Sequence, residues 1–243
     1  MALMYKTINT YVREKDVNLS DNIRPSAILD LFQDIAGIHA NELNIGYLDL
    51  LKENLYWIVL AWDIKVISRI PKFGEDIKVI TWPKAAYRLE FEREFEIRDI
   101  NNNLLIIGNS DWILMDSVKR KIERANRVEF KGEYYKSNNF SDKMNHRLNL
   151  EIDNIDLEYD YKVEVTDLDH NGHLNNARYL DIIYNMDINK AHKSIKSLKI
   201  SFIHEAMYNE IIHVIHGIKD GFDLYLGYVK DELSFEVMVK LED

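Results

Sequence analysis

Residues 166–176 read Thr-Asp-Leu-Asp-His-Asn-Gly-His-Leu-Asn-Asn, which sets a carboxylate, a carboxamide and an imidazole at alternate positions, Asp169, Asn171 and His173. Those groups are the parts of a general acid–base site: two can move protons, and the amide can hold a water or a carbonyl. Gly172 is available for a turn, and Asn175 or Asn176 can cap a following helix by accepting a backbone N–H bond. Unpaired N–H groups at a helix start favour developing negative charge. Each residue also has an ordinary reading. His173 alone is a satisfied histidine, Asp169 a turn carboxylate, and Asn171-Gly172 a turn dipeptide. His170, His173 and His204 are scattered and lack a cysteine, a weak metal set, so no metal is expected.

The loop needs elements to hold it. An alternating strand over 159–165 leads in, and an apolar helical pattern over 177–188 leads out. Upstream, residues 3–14 alternate weakly as a strand. Pro25 stands at a first helical position, and residues 26–40 are apolar around much of a helix, which predicts a buried one. Strands follow at 55–70 and 77–82, broken by Pro71-Lys72-Phe73-Gly74, and a hairpin spans 89–115 about Asn101-Asn102-Asn103. Residues 132–154 are polar and aperiodic, the signature of a linker. The order then repeats: strand, loop, helix, strands at 195–205 and 210–218, and a hairpin near Asp231.

The repeat can be followed residue by residue. Leu29-Asp30 matches Leu180-Asp181, and Asn22-Ile23 matches His173-Leu174, at an offset of 151. Residues 73–77 match residues 208–212 at an offset of 135. On this alignment Asp169, Asn171 and His173 face Asn18, Ser20 and Asn22. One copy holds a carboxylate and an imidazole and the other holds neither, which points to one active half and one half kept for shape.

Composition narrows the rest. The 243 residues are 47% hydrophobic and 30% charged, as in a folded domain or two. No apolar run approaches a membrane span, and residues 1–6 lack a signal-peptide pattern. There is no cysteine, hence no disulfide or thiolate nucleophile, and the cytoplasm is the expected address. The net charge of −10 disfavours nucleic acid as a partner. Against it, Lys119, Arg120 and Lys121 cluster with Arg124 and Arg127, either as a solvated hairpin or as a landing patch for an anionic partner.

The segment Asp169-His170-Asn171-Gly172-His173-Leu174-Asn175-Asn176, with Tyr179 after it, resembles the D-x-N-x-H-x-N-N segment of acyl-acyl carrier protein thioesterases. Trp57-Ile58-Val59, residues 70–75, Thr81-Trp82-Pro83 and residues 93–99 are similar to the family's first half. The resemblance implies an α+β fold of two tandem hot-dog domains, each a long helix wrapped by an antiparallel sheet. The domains would be 1–135, catalytically degenerate and acyl-binding, and 157–243, catalytic, joined by a linker at 136–156. Carried over, the catalytic set is Asp169, Asn171, His173 and Glu205, with no cofactor. Ala206 stands where some members carry a Cys, so water must attack.

The implied substrate is an acyl thioester on acyl carrier protein, whose acidity gives Lys119, Arg120 and Lys121 a docking role. Leu29, Phe32, Ile35 and Ala36 are candidate walls of the acyl pocket, or plain core. The tryptophans Trp57, Trp62, Trp82 and Trp112 could line or pack the same half. Rival readings are an acyl-coenzyme A thioesterase of the same fold and a non-catalytic acyl-binding module; a hot-dog dehydratase, which needs no Asn between its His and its acid, fits less well. A doubled chain already supplies the pairing of single hot-dogs, which leaves monomer and dimer both open.

Overall fold

In the computed structural model, residues 4–128, 134, 135 and 137–242 are described. Leu3 of the expected first strand, and Gly132 and Lys136 at the expected start of the linker, lie outside them. The first half runs β1 (Lys6–Tyr11), α1 (Pro25–Glu42), α2 (Tyr47–Lys52), β2 (Leu55–Val66), β3 (Asp76–Pro83), β4 (Glu90–Asp99), β5 (Leu104–Asp116) and a short β6 (Lys121–Glu123). The second runs β7 (Leu157–Lys162), α3 (Arg178–Tyr184), β8 (Ile195–Phe202), β9 (Ile211–Lys219), β10 (Phe222–Val229) and β11 (Glu232–Leu241). The strands form one antiparallel sheet in the order β1-β3-β4-β5-β2-β8-β11-β10-β9-β7, with β6 beside β5. Read outward from its centre, the two halves have the same order. The chain is α+β, two hot-dog units in tandem.

Pro25 starts α1 at a position where its missing N–H costs nothing. Ile28, Leu29, Phe32 and Ile35 are fully buried against the sheet. Phe32 stacks on Phe95 at 4.6 Å between ring centres. That approach depends on Gly108 of β5, where a Cβ would lie 2.5 Å from the Phe32 ring. The helix of the second half, α3, differs from its expected length, ending at Tyr184 rather than near 188. Asp187 is extended, and its side chain accepts the Asn189 N–H to start a separate 3-10 turn, Ile188–His192. Local side-chain capping there wins over helix propagation. Among the described residues no helix is long and apolar enough to cross a membrane.

The expected linker is irregular but closely held. The alternation of β4 puts Phe91, Phe95 and Ile97 into the core and Glu90, Glu92, Glu94 and Glu96 on the other face, normally the solvated one. Here the linker covers it. Glu94 accepts the Asn139 N–H at 2.8 Å, Glu96 the Asn139 side-chain amide at 2.9 Å, and Glu92 the Met144 N–H at 3.3 Å. Glu236 of β11 accepts the N–H groups of Leu148 (3.1 Å) and Leu150 (2.8 Å). Burial, with Glu90 and Glu92 close by, pushes neighbouring Asp111 up to about 7.

Because Glu236 is buried and makes two charge-assisted bonds, Glu236→Ala should lower stability by about 2–4 kcal/mol. Denaturant unfolding would show this, and limited proteolysis should then cut first within residues 137–150. Unchanged stability would show that the carboxylate does not hold the linker.

Candidate active site

The turn that carries Asn171 and His173, between β7 and α3, is built on the Asp169 carboxylate. Asp169 Oδ1 accepts the backbone N–H groups of Asn171 (2.8 Å) and His173 (3.1 Å), and Oδ2 faces the Asn171 side-chain nitrogen at 3.4 Å. Asp169 N–H donates to the His173 carbonyl, and Gly172 takes φ +82°, the left-handed turn its type permits. Asn175 Oδ1 then accepts the Ala177 N–H at 2.9 Å, a local turn just before the helix; the N-cap of α3 is Ala177, and neither Asn175 nor Asn176 caps it as expected.

Glu205 reaches the same loop from the other side. The register between β10 and β11 shifts after Gly227, which leaves Ser234 as an extra residue in β11. Its carbonyl accepts the N–H groups of Ile203 and His204, and its hydroxyl donates to the His204 carbonyl at 2.6 Å. Past this bulge, Ala206 donates its N–H to the Tyr179 hydroxyl (3.2 Å) and accepts the Leu174 N–H. Burial raises Tyr179 to about 12, so it stays a neutral anchor. Glu205, held between these fixed points, brings Oε2 to 3.3 Å from His173 Nε2, with both side chains partly exposed. All four expected residues line one cleft except that Asp169 also serves as its scaffold.

Backbone donors at the helix start are less available than the sequence suggests. The N–H groups of Leu174, Asn175, Ala177 and Arg178 already bond to Ala206, Asp167 and Asn175, because the loop folds back on itself. The side-chain amide of Asn171 lines the cleft and is a donor that a substrate oxygen can meet.

The cleft, of about 680 Å³, lies between the halves, lined by Tyr56 to Leu60 of β2 on one side and His173 and Glu205 on the other. It shares Gln33, Trp57 and Trp112 with a smaller apolar pocket of about 140 Å³, bounded by Ala36, Gly37, Ala40, Ile45, Phe91 and Arg93. Of the four candidate acyl-pocket residues, Ala36 lines this pocket; Leu29, Phe32 and Ile35 point into the main core. Trp57 and Trp112 line it, whereas Trp62 and Trp82 are core. Sequence reasoning missed Gly37 and Ala40, small residues on the α1 face beside Ala36, whose only signal was their size. Arg93, wholly buried beside His39 at 3.0 Å, is depressed to about 10 by burial.

The first half holds the same loop without the chemistry. Asn18 Oδ1 accepts the N–H groups of Ser20 (2.9 Å) and Asn22 (3.1 Å), as Asp169 does for its counterparts, and Asp21 takes the left-handed place of Gly172. Ile23 N–H donates to the Pro71 carbonyl as Leu174 does to Ala206. By this correspondence His173 faces Asn22 and Glu205 faces Ile70. The Ser20 hydroxyl meanwhile donates to the His192 carbonyl at 3.1 Å, so second-half residues sit on this loop.

Lys119, Arg120 and Lys121 lie at the turn between β5 and β6. Lys119 is tied to Asp116 at 2.9 Å and faces Glu123 at 3.7 Å. No ion pair joins Arg120 or Lys121 to an acid among the described residues, and Arg120 lines the cleft mouth.

Two family models match the chain: the acyl-ACP thioesterase N-terminal domain over residues 4–131 and the acyl-ACP thioesterase C-terminal domain over residues 151–242. The palmitoyl-acyl carrier protein thioesterase of Arabidopsis thaliana is 26% identical over 139 residues, 54% of this chain and 33% of that protein. The chain thus spans about a third of that relative's length. An acyl-ACP thioesterase from Bacteroides thetaiotaomicron superposes with a TM-score of 0.87 over 98% of both chains at 18% identity. The 12:0-ACP thioesterase from Umbellularia californica gives 0.83 over 100% of this chain and 98% of its own, at 17% identity.

Proposed function

Because the chain belongs to the acyl-ACP thioesterase family, we propose that it hydrolyses a fatty acyl-acyl carrier protein, releasing free fatty acid and ending chain elongation. The observation that carries this reading is His173 Nε2 at 3.3 Å from Glu205, on the wall of a cleft that leads past two tryptophans into an apolar pocket. Glu205 takes a proton from water, and His173 orients that water. The hydroxide adds to the thioester carbonyl, and the Asn171 amide donates to the oxygen as it gains charge. Collapse expels the carrier thiolate, which needs no acid to leave. Asp169 positions Asn171 and His173 through the loop. The first half, 1–135, contributes the acyl pocket, and the second, 157–243, the chemistry. The cytoplasm is its proposed compartment, and the doubled chain acts without needing a second copy to complete the site.

Glu205→Ala and His173→Ala should each lower kcat by about 10²–10⁴-fold with KM within a few-fold, followed by free-thiol release from an acyl-carrier substrate. Near-wild-type turnover in both would remove this assignment.

The pocket offers a separate test. A Cβ at Gly37 would meet no atom within 4 Å, so added side chain fills pocket space rather than core. Gly37→Ala should stabilise the helix by about 0.5–1 kcal/mol. Gly37→Leu should shift preference toward shorter acyl chains in a chain-length panel; an equal loss at every length would reject the pocket role.

For the carrier, Arg120→Glu with Lys121→Glu should raise KM several-fold for acyl-carrier substrate, less so at high salt, and leave short uncharged thioester analogues unchanged. Lys119 is the poorer choice for reversal, since its partners Asp116 and Glu123 would then face a third acid. Equal effects on both substrates would reject docking.

A further inference from the structure

We infer that Glu90, Asp111 and His146 form a divalent transition-metal site that pins the linker between the halves to the covered face of the sheet. Asp111 lies across from Glu92 in the β4–β5 register and diagonal to Glu90, an arrangement of like charges that needs a counter-charge. Glu92 has one: Lys84 at 3.2 Å, besides the Asn109 amide and the Met144 N–H. Asp111 does not. Its carboxylate is fully buried, and no side chain hydrogen-bonds either oxygen. A buried carboxylate in that condition is costly unless a cation or a proton meets it.

The groups around Asp111 are those of a metal site. His146, carried on the linker, brings Nδ1 to 3.4 Å from Asp111 Oδ2 and 3.8 Å from Glu90 Oε1. The three donor atoms lie within 4.8 Å of one another. A tetrahedral ion with bonds near 2.1 Å holds its donors about 3.4 Å apart, so small side-chain rotations close the set. Glu90 gives its other oxygen, Oε2, to Lys143, which leaves Oε1 for the ion. The His146 carbonyl accepts a bond from the Ser201 hydroxyl of β8, which fixes the linker where the imidazole must sit. One imidazole with two carboxylates suits zinc, manganese or cobalt better than the all-oxygen preference of calcium or magnesium. The ion would join β4, β5 and the linker, with no part in hydrolysis.

The test uses the full chain, stripped with chelator and titrated with Zn²⁺ by calorimetry and with Co²⁺ by visible absorption. The expected result is one equivalent per chain and a melting temperature raised by about 5 °C at a hundredfold excess over Kd. Asp111→Asn, which keeps the shape, and His146→Gln, at a partly exposed linker position, should each weaken binding more than tenfold and abolish the shift. Glu205→Ala, which breaks the histidine–carboxylate pair of the candidate active site, should retain both signals. No binding by the wild-type chain would overturn the inference. Binding that survives in Asp111→Asn and His146→Gln, or that disappears in Glu205→Ala, would overturn it by locating the ion elsewhere.

Discussion

The short pairing of β2 with β8 is the constraint on which the rest depends. Only Ala61 to Lys65 pair with residues 197–201, and this seam joins the six strands of the first half and the five of the second into one sheet. It also buries two edges that would otherwise invite pairing with other chains. The seam stops at Ala61 and Ser201. A bulge at Leu60 bends β2 there, since Val59 and Ala61 face consecutive residues of β5. Beyond it, residues 56–60 and 202–205 diverge, and the space between them is the cleft. The site therefore needs no specialised domain of its own; it occupies the place where a joint between two copies ends.

A joint of five residue pairs is small, and the linker reinforces it from the other face. The buried glutamates at 94, 96 and 236 and the half-buried Glu92 serve as acceptors for linker groups, in place of the sheet or helix ladder the linker lacks. Burying carboxylates this way is costly unless each is bonded. Lys84, at 3.3 Å from Glu94 and 3.2 Å from Glu92, supplies charge as well. Because Glu92, Glu94 and Glu96 come from β4 and Glu236 from β11, the linker spans both halves before it enters β7.

Much of this was legible in the sequence, and the failures have physical causes. Period-two alternation gave the strands, and Pro25 with the apolar run after it gave α1 to within two residues at either end. The chemistry-bearing loop was readable because its bonds are local, between residues two to four apart. Non-local facts were not. Nothing in residues 132–154 announces that their N–H groups meet glutamates across the sheet, and a polar strand face reads as solvated whether or not a linker covers it. Of the acyl-pocket candidates, Leu29, Phe32 and Ile35 are large and apolar, which is what a core selects, and the small Ala36 is the one that lines the pocket. A pocket selects for absence of side chain, and so Gly37 and Ala40 went unnoticed.

The paired loops also separate shape from chemistry within the candidate site. Asn18 and Asp169 make the same two backbone bonds through one oxygen, so the turn does not require a carboxylate. What a carboxylate adds at 169 is a second acceptor, and that oxygen faces the Asn171 amide nitrogen. An asparagine would place a donor there and turn the amide away. The first half has no amide to orient, with Ser20 at the matching place, and an asparagine suffices. The charge at Asp169 is thus explained by its neighbour in the cleft and not by the fold. The same reasoning sets His173 and Glu205 apart, since Asn22 and Ile70 hold their places in a loop of the same form.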